Sequence, residues 1–520
     1  MDSLVILIPL LPFCAAIVLG VGILFNCLIG ERSEGLSSGI ALWAVTMSGL
    51  LSLTLYGAGM LGINHGSFNL GSWLESETFS VSINFITQGI GLRLSALFGV
   101  LLVVLVRFSV NYMHREPGFH RFFFVLALFS GAMQWLVLSG NAVGTFMGWE
   151  IAGLCSYLLI NYAYDRPIAA ENASWVLVSN RIGDCAFIIG IGLSFAYAED
   201  INWLKLNVLA DQLSPGEATG LAFCFAVAAF AKSAQLPFTP WLLRAIEGPT
   251  PSSAIFYGSL MVHAGVFLIC LLQPLFEHSA FAMGTLAVVG LATAVYSYLI
   301  GLTQTDVKSS LIAATSVQLG MMFMECGLGF WQLAGWHLCA HLIVRCYQFL
   351  AAPSLMHNVR GNPIKPVNTM LAKHYWAYTM SLQRFWLDSL SNSLLIRPIG
   401  RLSHDLRYFD DYIVDRLMGS PAPAIRAISS LAQYEELSIG ARLDNVSDQF
   451  SPGSGLAGKL AEWTSAIVHG VENRFILSGH GKNVADIGRR IGQSANRFEE
   501  YILRPRYLVL FVFITLLVAF

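Results

Sequence analysis

Residues 141–164 read NAVGTFMGWEIAGLCSYLLINYAY and residues 220–237 read GLAFCFAVAAFAKSAQLP. Both stretches are apolar over the length of a membrane-crossing helix, which takes about 20 residues. Each nevertheless holds one ionisable side chain, Glu150 and Lys232. A charge at the bilayer centre costs between about 3 and 17 kcal/mol. Such residues persist where they face a partner or a water-filled cavity, and there they mark a proton or ion path. An acid and a base on separate spans therefore predict an all-α integral membrane protein that moves protons or ions.

Working outward, the whole chain supports that class. Of 520 residues, 55% are hydrophobic and 12% charged, against about 25% charged in soluble domains. The net charge of −2 excludes a basic nucleic-acid binder. The nine cysteines form no CxxC pair, so no zinc or iron–sulfur site is expected and no cofactor is assigned to this chain. Residues 4–28 carry no charged leader or cleavage site and read as a retained span rather than a signal peptide.

Further spans are expected near 39–61, 90–112, 121–139, 173–197, 252–275, 281–303, 308–327 and 330–352, with the second quoted stretch extending over 219–242. With a last short span at 507–520 the total is about 12. The layout is residues 1–115 as N-terminal spans, 116–355 as a conducting core, 356–506 as a polar region and 507–520 as an anchor. Within the polar region, 408–417, 460–475 and 484–501 pattern as amphipathic helices that lie on the membrane surface or on a partner. The charged loops 114–121 and 165–166 share one side if helices 121–139 and 141–164 both cross. The positive-inside rule puts that side in the cytoplasm.

Gly148 removes bulk next to Glu150 and lets another helix approach. Pro237, shortly after Lys232, has no N–H and breaks its helix. Freed backbone groups must face protein or water, which places Lys232 beside a polar cavity. A buried lysine changes its proton affinity readily. A nearby carboxylate would hold the proton on it, and removing that charge would release it. The alternative is a purely structural ion pair.

His337, His341 and Arg345 recur at four-residue steps and share one helix face. Two histidines there lack a third metal ligand, so a proton wire is the expectation; Arg345 stays charged and fixes a field. Arg181 and Asp184, three apart, are expected to pair. Lys308 and His263 are further polar residues within spans, and Glu325, near a helix end, reads as solvated.

The segments GWEIAGLCSYLLI (148–160), RIGD (181–184), AKSAQLPFTPWL (231–242), GPTPSSA (248–254), QTDVKSSL (304–311) and HLCAH (337–341) together resemble the antiporter-like subunits of respiratory complex I, subunit L above all, and the Mrp-type cation/proton antiporters. The resemblance runs over about 111–350. It implies a bundle of two inverted five-helix repeats, each with a broken helix, and a proton relay through Glu150, Lys232, His337 and His341. Three departures stand out. The position of the family's eighth-helix histidine or lysine is Tyr257, for which His263 is a substitute. The family's eleventh-helix lysine is Arg345. The helix that follows is missing, so the second repeat is truncated.

Two functions follow. The first is a proton-translocating subunit of a redox-driven, complex I-like assembly, whose oxidoreductase chemistry would reside in other subunits. The second is the membrane subunit of a gradient-driven inorganic-carbon uptake system with a large soluble zinc-binding partner. The truncation favours the second, the intact GWE motif the first. A degenerate scaffold is a third possibility. The expected partners are lipid and other membrane subunits or that zinc protein. On family resemblance, the location is a bacterial inner membrane.

Overall fold

A computed structural model describes residues 2–63, 66–75, 80–259, 261–358 and 372–409. The chain divides after Pro398, and a helix Arg397–Phe409 ends the described part. The expected amphipathic helices, apart from residues 408 and 409, and the last span lie outside the described residues.

The first unit is a helical bundle. Its elements are α1 Leu7–Leu24, α2 Glu34–Met60, β1 Ser67–Glu75, β2 Ser80–Ile86, α3 Gly89–Tyr112, α4 Phe119–Leu138, α5 Ala142–Ile160, α6 Pro167–Ala198, α7 Trp203–Leu209, α8 Pro215–Lys232, α9 Pro240–Arg244, α10 Thr250–Ser253, α11 Ala264–Leu271, α12 Gln273–Glu277, α13 Ala280–Gly301, α14 Val307–Gly327 and α15 Trp331–Asn358. Among the described residues, nine helices are long and apolar enough to cross a membrane. The helix ends follow local chemistry. Asn141 caps α5 by accepting from Gly144 N at 2.7 Å. Ser214 and Glu217 form a reciprocal capping box at the start of α8, with Pro215 at its first position, where its missing N–H costs nothing.

Two interruptions position the site. α8 stops at Lys232 and the chain resumes as α9 at Pro240, as Pro237 predicts. The freed groups at this break find specific partners: Trp241 Nε1 donates to Ala231 O (2.8 Å), Gln235 N to Phe230 O (2.8 Å) and Leu236 N to Thr293 Oγ1 of α13 (3.0 Å). The next span is also interrupted, with a π-helical turn Ala254–Ser259 and a 3-10 turn Met261–His263 before α11.

The central helix is α4, nearly all of which is buried. α5 lies tight against it: a Cβ at Gly148 would stand 2.8 Å from Ala132 O and Leu136 N. That is the close approach expected of a small residue.

The sequence reading missed the β1–β2 hairpin. It caps the turn between α4 and α5. Gly140 N donates to Asn84 O at 2.8 Å, and Asn141 Nδ2 donates to Ser82 O at 2.7 Å. Residues 375–396, read as part of a polar region on the membrane surface or a partner, also contact the core. Tyr296 OH donates to Arg384 O (3.2 Å), Ser391 Oγ to Pro237 O (3.4 Å), and Asp388 Oδ1 stands 3.6 Å from Arg244 Nε.

Candidate functional site

Glu150 and Lys232 come together, but not as a direct pair. Lys232 is 1% exposed. Its ammonium donates to the Trp149 carbonyl at 3.0 Å and lies 4.9 Å from the centre of the Trp149 ring. Glu150 Oε2 is held by Arg181 Nη1 at 2.5 Å. Arg181 Nη2 reaches Asp184 Oδ2 at 2.9 Å, the expected pair, and Asp184 Oδ1 accepts from Trp149 Nε1 at 2.8 Å. The result is one cluster of two acids, two bases and an indole, built from α5, α6 and the end of α8.

Two features of this cluster bear on chemistry. The other oxygen of Glu150, Oε1, is buried without a hydrogen-bond partner among the described residues, while an ammonium has three donors. The Arg181–Glu150 pair also lies open on one side. Its side chains are 42% and 25% exposed in this chain, near the middle of α5 and α6.

A second cluster forms where α11, α14 and α15 meet. His263 Nε2 is 2.8 Å from His341 Nδ1, and Arg345 Nε donates to His341 Nε2 at 3.1 Å. An Arg donor at Nε2 requires that nitrogen to accept. His341 in its neutral form then carries its proton on Nδ1 and donates to His263. Arg345 Nη1 donates onward to Gln348 Oε1 at 2.8 Å. His337 stands apart from this line, with ring centres 6.3 Å from His341. Its Nδ1 faces Glu325 Oε1 and Oε2 at 2.9 and 3.1 Å, and its Nε2 faces Gln318 Oε1 at 2.8 Å. With the amide placed this way, an imidazolium satisfies all of these contacts.

Glu325 is thus not a solvated helix end. It is 8% exposed and paired with His337, because the short turn between α14 and α15 folds the two back on each other. His263 joins the histidine line, whereas Tyr257 does not. Its hydroxyl donates to Leu242 O (2.8 Å) and its ring stacks on Phe349 at 5.3 Å, which ties the second half of the broken helix to α15. Lys308 joins neither cluster; its charged neighbour is Asp306.

Between the clusters lies the break in α8. Buried there, the side-chain oxygens of Ser233, Gln235 and Thr239, and His263 Nδ1, have no hydrogen-bond partner among the described residues. Ser233 lies beside α11, since a Cβ at Gly265 would meet Ser233 Oγ at 2.3 Å. The sequence reading also missed Trp149 as a ligand of the lysine, and the Arg244–Asn172 contact of 3.0 Å that fastens the end of α9 to α6. No spacing rule flags contacts between helices so far apart in sequence.

Fold and buried clusters together define an antiporter-like, multi-span membrane protein. Residues 139–382 match the family described as NADH:quinone oxidoreductase/Mrp antiporter, TM. The NAD(P)H-quinone oxidoreductase chain 5 of Picosynechococcus sp. is 34% identical over 359 residues, 68% of this chain and 54% of that protein. The chloroplastic subunit 5 of Spinacia oleracea is 32% identical over 380 residues, 70% of this chain and 50% of that protein. The chain therefore spans about half the length of the curated relatives it matches. Two solved structures share the fold. One is the Mrp complex from Dietzia sp. (TM-score 0.60, 23% identity, covering 68% of this chain and 38% of that one). The other is an archaeal membrane-bound sulfane sulfur reductase (TM-score 0.58, 19% identity, covering 68% and 71%).

Proposed function

We propose that this chain is a proton-conducting subunit of a multi-subunit, energy-coupled membrane assembly of the complex I type, with subunit L as its nearest kind, in a bacterial inner membrane. The observation that carries this reading is the cluster at the helix break: a buried lysine beside a half-buried carboxylate that a third residue, Arg181, already holds. Lys232 keeps a proton while the acids of the cluster are charged. Arg181 is the control, because a shift of its guanidinium away from Glu150 frees that carboxylate to draw the lysine proton. The unpartnered oxygens at the break call for water, which would carry protons from Lys232 towards His263. From there, His263 and His341 hand a proton along their shared hydrogen bond, and Arg345, by donating to His341 Nε2, fixes which ring nitrogen faces His263 with its proton. Glu325 and His337 form a separate pair that holds α14 to α15.

The open Arg181–Glu150 pair supports the assembly part of the reading. Facing lipid at mid-membrane, those charges would carry the large cost of a buried ion; another membrane subunit covering that face removes it. Pull-down of the tagged chain in mild detergent, with mass spectrometry, tests this. Hydrophobic subunits with flavin or iron–sulfur proteins are expected. A single large soluble zinc protein instead would point to gradient-driven inorganic-carbon uptake, with Glu150 and Lys232 as its proton inlet, and the chain arriving alone would overturn the assembly.

A further inference from the structure

α5 contains three glycines, and two of them have ordinary structural reasons. A Cβ at Gly144 would strike Ser139 Oγ, at 2.3 Å, in the helix cap, and one at Gly148 would strike the backbone of α4. Gly153 is different. Outside its own helix backbone, the only atoms among the described residues that a Cβ there would meet within 4 Å are Lys232 Nζ at 3.3 Å and Arg181 Nη2 at 3.5 Å. No backbone and no apolar side chain crowds the position, so helix packing does not call for glycine. A glycine inside a helix is also a poorer choice than alanine for stability.

The two heads that converge on this point are the two bases of the cluster. Lys232 Nζ spends one donor on the Trp149 carbonyl. Arg181 Nη1 holds one oxygen of Glu150 and leaves Oε1 open. A methyl at Gly153 would sit between the heads at a distance where the ammonium must give by a few tenths of an ångström. It would also replace polar surroundings with carbon on a cation that is already fully buried.

We propose that Gly153 is a positioning residue of the proton path: by carrying no side chain it leaves the Lys232 ammonium free to move between the Trp149 carbonyl and the open oxygen of Glu150. The inference rests on the proton-conducting reading above. It makes an unusual demand, that a substitution which helps the helix harms the transport.

The test uses inverted membrane vesicles from cells expressing the full chain with its native assembly. A valinomycin-induced potassium diffusion potential drives proton movement, read with a pH-sensitive dye as the component that depends on this gene. Gly153→Ala is expected to lower that component at least fivefold and to move its rate-against-pH curve, while the melting temperature of the detergent-purified chain stays level or rises. Gly153→Val is expected to abolish it. A Gly153→Ala rate equal to wild type, or a fall accompanied by a lower melting temperature, overturns the inference. If Lys232→Ala is inactive in the same vesicles while Gly153→Ala is normal, the proton-conducting reading stands and only the role of Gly153 fails. If Lys232→Ala keeps the wild-type rate, or the vesicles show no gene-dependent component, that reading fails and takes the inference with it.

Discussion

The Glu150 carboxylate is held by Arg181, at 2.5 Å, and not by Lys232, whose ammonium rests on the Trp149 carbonyl at 3.0 Å. The acid and base that stand out in the sequence are therefore neighbours kept apart by third parties. An ion pair already closed would be a structural tie. Two groups each occupied elsewhere, with a free oxygen and free donors between them, have somewhere to go.

Glu150→Gln keeps the shape of the side chain but removes the charge that Arg181 holds. Proton-coupled activity is expected to fall at least tenfold with assembly intact, and Lys232→Ala to do the same. Dye-detected proton uptake in membrane vesicles measures the first effect, and blue native gels of the assembly check the second. Wild-type uptake in either variant removes the relay.

Arg345 uses its fork: Nε on His341 and Nη1 on Gln348. Lysine has one head and cannot serve both with that geometry. Arg345→Lys is therefore expected to lower the rate severalfold and to change its pH profile. A variant with the wild-type profile would make the arginine incidental to the histidines.

Glu325→Gln exchanges an ionic partner of His337 for a neutral one. Hydrogen bonds to charged groups contribute about 1.5–3 kcal/mol, so a drop of that size in the stability of the α14–α15 hairpin is expected. Unfolding of the detergent-purified variant gives the number. No change would mean that His337 is neutral and the contact weak.

At the opposite end of α5, Arg121 donates to Tyr162 O at 2.5 Å and lies over the rings of Tyr162 and Tyr164 at 5.3 and 4.7 Å. Burial pushes the Tyr162 phenol up to about 12. It stays protonated at any working pH, so Tyr162→Phe removes no charge and keeps the ring. That variant is expected to match wild type from pH 5 to 9, within about 0.5 kcal/mol, whereas Arg121→Gln should destabilise the chain by about 1–3 kcal/mol. Equal melting temperatures for Arg121→Gln and wild type would discard this lock.

The sequence announced nine of the spans, the break after Lys232 and the shared face of His337, His341 and Arg345, because each depends on a local property: apolar length, a missing N–H, a four-residue step. What stayed illegible depends on how helices are rotated against one another. Nothing local says that Arg181 on α6 turns towards Glu150 on α5 as well as towards its own neighbour Asp184. Glu325 looked like a helix end exposed to water because its partner lies beyond a turn, on the next helix. The hairpin was hidden for a different reason. Its strands alternate weakly, and what holds them is the turn they cap. Residues 375–396 read as part of the polar region on the membrane surface or a partner, yet two of their polar groups, Asp388 and Ser391, face Arg244 and Pro237 of the core.

The hairpin and the Arg121 lock act on the two ends of one helix. Asn141 is tied at the first and Tyr162 at the second, so α5 is mounted like a stator, with Glu150 fixed in the frame. What is left to travel is the Lys232 side chain, at the end of the interrupted helix, whose ammonium reaches α5 at the Trp149 carbonyl. Stiffening α5 further with a cross-link to α4 should leave this machine running, while a staple across residues 232–240 should jam it.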